Sequence, residues 1–177
     1  MEKIKQKVEP ISEQALLMQA LKFDQDDLAA NRMGQLSAGN VTRLRRQLIL
    51  FAVYLLVAVL VVVWAANGIP TFMAATASEQ TVSLVLVIVG LVIGLFSLVR
   101  AVLYGMDLYS GLTESVQGVV RLDVKAGKSR SYALIIGEKH ISVSHDVYNA
   151  FKTRDPYALY FTHSSGTLLA AEPLRTD

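Results

Sequence analysis

Two apolar runs, Leu48 to Ala66 and Val82 to Val99, contain no charged residue, and between Arg46 and Arg100 the only Asp, Glu, Lys, Arg or His is Glu79. Each run approaches the ~20 residues a helix needs to cross a hydrocarbon core. Strands usually end after about 3–10 residues, so a strand reading fails on length. A lone buried core helix sits poorly with two adjacent runs of this purity. A cleaved signal peptide fits no better, because the stretch before Leu48 is long, polar and amphipathic and has no short basic head leading directly into the run. Two membrane-spanning helices are therefore expected. They also account for the composition: 18% of residues are charged, against about 25% in an ordinary soluble domain.

Between the runs lies NGIPTFMAATASEQT, in which Asn67, Gly68 and Pro70 are helix breakers. The expectation is an α-helical membrane hairpin over residues 47–104 with an external loop at 67–81. Trp64 stands at the outer edge, where an indole marks the headgroup level, and the loop carries no Lys or Arg. Arg43, Arg45 and Arg46 abut the first span, Arg100 closes the second, and Tyr104 suits the inner interface. The asymmetry of basic residues places both termini on the cytoplasmic side of the membrane. The arginine collar acts first as a topology signal and can also touch lipid phosphates. A net charge of +2 with acids and bases interspersed is no nucleic-acid footprint.

Gly90 and Gly94 form a G-x-x-x-G, and Ser97 and Ala101 continue the small-residue stripe on much the same helical face. Such a stripe lets another helix backbone come close. Its partner is either the first span of the same chain, with the Tyr54 ring level with Gly94 and seated on the notch, or a second membrane protein, including another copy. No ionisable group lies within either span, which argues against a proton relay or coupling-ion site there.

The N-terminal segment, residues 1–46, reads as short cytoplasmic helices. Ser12 can cap the first, and Asp24 the second, with Asp26 and Asp27 in its first turn. Gly34 is a natural stop, and a third helix starting at Ser37 runs through VTRLRRQ into the membrane. After a linker at 105–115, residues 116–177 change to a strand pattern: VVRLDV, SYALIIG, HISVS and the hairpin YALYFTHSSGTLLAAEPL. In that hairpin Tyr157, Leu159 and Phe161 share one face and Ser164, Ser165 and Gly166 form the turn. HDVYNAFKTRDP fits a helical turn or two before Pro156. Five strands with one helical insert predict a small all-β barrel of the OB or SH3-like kind. About sixty residues is near the lower limit for an independent core, so help from the linker or a partner is expected.

Chemistry is sparse. The chain has no cysteine, which removes disulfides, thiolate metal sites and a cysteine nucleophile. His140, His145 and His163 have no metal-ligand spacing, THSSGT lacks the nucleophile elbow, and KAGKSR between strands is a basic turn rather than a phosphate loop. No catalytic residue, cofactor or metal is expected. A protein-interaction role is, with Tyr148, Phe151, Tyr157 and Tyr160 as the aromatic anchors of a partner surface.

Two spans followed by the module from GVVRLDV to LYFTHSSGTLLAAEPL resemble the membrane-anchored OB module of NfeD-like bacterial proteins. The resemblance implies a tethered β-module beside stomatin-type membrane scaffolds. The chain is also similar to small bacterial membrane proteins whose tails carry a tyrosine-rich strand, a turn and an LL-x-x-E strand. Neither likeness implies an activity. The expected role is a membrane-tethered scaffold, or alternatively an accessory subunit of a transport or respiratory-type complex docked through the glycine face.

Overall fold

A computed structural model describes residues 12–67, 77–125 and 131–174. Two expectations lie outside the described residues: the breakers Gly68 and Pro70 with most of the loop, and the basic turn after Lys125. The element order is α1 (Glu13–Leu21), α2 (Gln25–Arg32), α3 (Ala38–Asn67), α4 (Ala77–Ser110), β1 (Thr113–Lys125), β2 (Ser131–Ile136), β3 (Lys139–Val143), α5 (His145–Ala150), β4 (Pro156–Thr162) and β5 (Leu168–Pro173). The chain divides into two compact units. One holds the helical pair α3 and α4, with His163–Ser165. The other joins the N-terminal helices to the sheet.

Local chemistry explains the helix starts. Ser12 Oγ accepts the Ala15 N–H at 3.2 Å. At α2, Asp24 accepts the Asp27 N–H at 2.7 Å while Asp27 accepts the Asp24 N–H at 3.2 Å, a reciprocal capping box. Ser144 caps α5 by accepting the Val147 N–H. Each cap satisfies a donor that the first helical turn leaves open.

The helices of the first unit are long and apolar enough to cross a membrane, with candidate spans of 28 residues from Ala38 to Ala65 and 30 from Thr81 to Ser110. The segment expected as a linker is largely helix: α4 continues to Ser110. One glycine in a helix interior costs only about 1 kcal/mol, so Gly105 does not break it. Gly111, at φ +64, makes the stop, its N–H donating to the Asp107 carbonyl at 3.0 Å.

The sheet is antiparallel, in the order β3-β2-β1-β4-β5. Long β1 is shared: residues 113–119 pair with β4 and residues 120–125 with β2. The five strands and the helix between β3 and β4 match the expected order of elements. The sheet is open, however, and among the described residues β3 and β5 form no ladder with each other. Helix α1 packs along β5.

That packing corrects the expected domain boundary. Leu17 and Leu21 of α1, Phe23, and Leu28 of α2 belong to one buried cluster with Val120, Leu134, Tyr157, Leu159 and Ala170. The chain then returns to the start of β1, where Thr113 N–H donates to the Gly34 carbonyl at 3.0 Å and Gln35 bridges Leu112. A sheet of about sixty residues leaves too much apolar surface open, and the N-terminal helices close it. Burial of Leu17 alone, at 0% exposure, contributes about 1.5–3 kcal/mol. Accordingly, a fragment of residues 112–177 should fail to give a cooperative thermal transition, and Leu17→Ala in the full chain should destabilise the sheet unit by about 2–5 kcal/mol in denaturant titration.

Candidate functional site

Three features can hold a ligand or partner: the seam of the helical pair, the polar ties of the sheet unit, and its aromatic side chains. At the seam the glycine face meets α3. A Cβ on Gly90 would lie 2.8 Å from Val62 Cγ2 and 3.5 Å from the Ala58 carbonyl oxygen, and one on Gly94 would lie 3.5 Å from Ala58 Cβ. Ser97 is buried at 1% exposure on the same helix, while Ala101 is half-buried. The contacts to the glycines come from Ala58, Val62 and Leu55 rather than from Tyr54. Tyr54 is 49% exposed and meets Phe51 edge-on at 6.2 Å. The reason is steric, since a phenol ring is too large for the closest approach, and a methyl fits. Beside this seam runs an apolar groove of 310 Å³ lined by residues that include Leu55, Val59, Gly90, Leu91 and Leu95.

The residues expected at the membrane interface divide. Trp64 is 72% exposed, Arg45 and Arg46 are exposed, and Arg43 and Arg100 are half-buried. Tyr104 is instead enclosed, stacked on Phe51 at 5.7 Å between the helices. Its ring therefore packs the seam and does not face headgroups.

The expected aromatic partner surface is corrected more strongly. Phe151, Tyr157 and Tyr160 are buried, at 4%, 0% and 4% exposure. Tyr157 and Tyr160 are core residues because β4 is buried along both faces, with Ala158 as enclosed as Leu159, and Phe151, just after α5, packs edge-on against Tyr157 at 4.9 Å. Only Tyr148 stays partly open, in a cluster with Tyr132 at 5.0 Å, which also meets His145 at 4.9 Å. A neighbouring groove of 390 Å³ between α1 and α5 is lined by Leu16, Gln19, Ala20, Lys22, Asp146, Asn149 and Ala150. Among the described residues no three or more His, Asp or Glu gather as a metal site.

The buried tyrosines end in polar ties that sequence reasoning missed. Tyr157 Oη donates to Glu13 and accepts the Lys152 backbone N–H at 3.0 Å, and Lys152 Nζ donates to Glu13 at 2.8 Å. Tyr160 Oη donates to Glu172 at 2.6 Å, and Arg32 reaches the same carboxylate with Nε at 3.0 Å. Ser37 Oγ donates to the buried Asp27 carboxylate. In the helical unit Asp107, at 0% exposure, accepts the backbone N–H groups of Ser164 at 2.6 Å and Ser165 at 3.0 Å.

Burial, then the bond to Glu172, pushes the Tyr160 phenol up to about 12. Burial and Glu13 raise Tyr157 too. Burial works to raise Glu172, but hydrogen bonds from Arg32 and Tyr160, with the Arg32 charge, outweigh it and hold the carboxyl below its usual value. The bond to Glu172 and its charge raise the Arg32 guanidinium in return, against a smaller opposing effect of burial.

Compared with protein-family models, with curated proteins and with solved structures, the chain matches none of them.

The seam and the ties each carry an expectation. Val62 is β-branched and held in one rotamer on a helix, so it cannot swing away from a new methyl at Gly90. Gly90→Ala should lower the thermal midpoint of the detergent-solubilised chain, by overpacking of about 1–3 kcal/mol. Gly94→Ala meets only ordinary contact and should leave the midpoint unchanged or raised. For Tyr160, the folded state keeps a proton that the unfolded chain releases above pH 10, so its stabilisation is complete below pH 10 and is lost toward about pH 12. Glu172 has the opposite sign, with stabilisation complete above pH 4.5 and lost as the pH falls further. Tyr160→Phe should cost about 1–3 kcal/mol at neutral pH and flatten the alkaline decline in circular dichroism.

Proposed function

We propose that this chain is an integral membrane protein whose helical hairpin tethers a non-enzymatic protein-interaction or scaffold module at a membrane surface. The observation that carries this reading is the exposure of the apolar residues on both long helices. Leu60, Trp64, Leu91 and Leu95 are each more than half exposed, and only 11% of each apolar window is buried. A core helix of a soluble protein buries such residues, and lipid is the solvent that suits them. The arginines at one end support an orientation with that end, and both termini, in the cytoplasm.

The sheet unit is read as an open, OB-like module. A long first strand shared between two partner strands and a helix between β3 and β4 support this. The mechanism is confinement: holding a binding surface at the membrane raises its effective concentration for a partner there. With three of the four expected anchors in the core, the surface offered to that partner is the cluster of Tyr132, His145 and Tyr148. A second reading, an accessory subunit of a membrane complex, is favoured by the apolar groove along the seam, which can receive a foreign helix.

Alkaline carbonate extraction and gentle detergent purification of the full chain test this proposal together. The chain should stay in the carbonate-resistant membrane fraction, and Tyr148→Ala with His145→Ala should lose a co-purifying protein while the hairpin remains inserted. Release by carbonate would sink the membrane reading. A partner that survives those two substitutions and is lost only when Val59→Trp adds bulk to the seam groove would favour the subunit reading instead.

A further inference from the structure

We propose that Arg45, Arg46 and Arg100 form a seat for the headgroups of anionic phospholipids at one end of the helical pair. The inference rests on the membrane reading and deepens it by naming the lipid class. Phe51 of α3 touches both Phe96 and Tyr104 of α4, at 6.2 and 5.7 Å, so Arg100 lies level with Phe51. At ~1.5 Å per residue, Arg46 and Arg45 stand about 8 and 9 Å from that level, toward the start of α3. The Cα atoms of the three arginines thus lie within about 9 Å of one another along the helix axis, close to the depth of an interfacial layer of about 5–8 Å.

Nothing in the helical pair neutralises them. Helix α3 carries no Asp or Glu, and the acids of α4 are Glu79, at its far end, and Asp107. Asp107 is fully buried, and its carboxylate oxygens accept the Ser164 and Ser165 amides. Among the described residues none of the three arginines is in an ion pair. Arg100 folds back along its helix, with its guanidinium 5.5 Å from the centre of the Phe96 ring. That direction leads toward the apolar run, where an unpaired cation is costly and an anionic oxygen offsets the cost. A guanidinium matches a phosphate diester with two parallel donors.

The same region distinguishes a lipid from a soluble phosphate. Ile49, Leu50 and Val99, close in sequence to the arginines, are 57%, 47% and 50% exposed. A phospholipid supplies acyl chains for these side chains and an anion for the guanidiniums, whereas inorganic phosphate supplies only the anion. The charge on the headgroup decides the class: a zwitterionic lipid carries its own cation beside the phosphate, and an anionic one does not.

The test uses the full-length chain in mixed micelles containing equal amounts of phosphatidylglycerol and phosphatidylcholine, with retained lipids counted by native mass spectrometry. The wild-type chain should retain phosphatidylglycerol several-fold over phosphatidylcholine, and raising the salt concentration should erode the preference without any mutation. The triple variant R45Q/R46Q/R100Q should lose it, while R45K/R46K/R100K, which keeps the charge, should keep most of it. No preference in the wild type, an undiminished preference in the glutamine variant, or equal loss in the lysine variant would each overturn the proposal. Carbonate extraction of the same chain separates the two levels: release from the membrane defeats the membrane reading, whereas firm retention with no lipid preference defeats only the lipid seat.

Discussion

A strand buried on both faces needs cover from two sides, and β4 is such a strand. From Tyr157 to Thr162 every residue is enclosed, yet the sheet around it is open and has only five strands. The missing cover comes from the far end of the sequence, through Leu17, Leu21 and Phe23. Once these helices close the core, the tyrosines of β4 can be buried because each hydroxyl finds a partner: Glu13 for Tyr157 and Glu172 for Tyr160. Without such partners a buried hydroxyl would cost roughly 1–3 kcal/mol. The apolar cover and the polar ties therefore depend on one another.

The helical unit solves a different problem. Within its two charge-free runs nearly every side chain is apolar, so in the proposed lipid environment no difference in hydrophobicity would hold the helices together. Close approach does that work instead. Gly90 and Gly94 admit Ala58 and Val62, and the aromatic cluster of Phe51, Phe96 and Tyr104 fills the space nearer the arginines. The glycine face is thereby occupied within the chain, and what remains for a further helix is the groove beside it.

Features set by neighbours in sequence were legible. Both long helices followed from uninterrupted apolar runs, and the caps at Ser12 and Asp24 from side chains three residues from the donors they satisfy. The strand segments and the short helix before Pro156 followed from alternation and breakers. The candidate site was far less legible. Tyr148, Phe151, Tyr157 and Tyr160 look alike as aromatic residues of a small module, and alternation says which residues of β4 share a face but not which face is covered. Strand periodicity cannot reveal that the second face is covered by another segment. One signal was available: in the β4–β5 hairpin Tyr160 pairs with Ala170, so Glu172 is its diagonal neighbour on the same face. Nothing comparable points from Tyr157 to Glu13, which lies 144 residues away.

By itself the sequence determined where the chain is helical, where it is extended, and that two segments lack any charge, because these depend on spacing and composition within a few turns or strands. Tertiary structure decided which residues are surface and which are core. It merged the N-terminal helices with the sheet, enclosed Tyr104 and the β4 tyrosines, and gave the glycine notch to Ala58 instead of Tyr54. Those outcomes depend on which distant segment supplies the covering surface and on how closely two backbones can approach, and neither quantity is written in local periodicity.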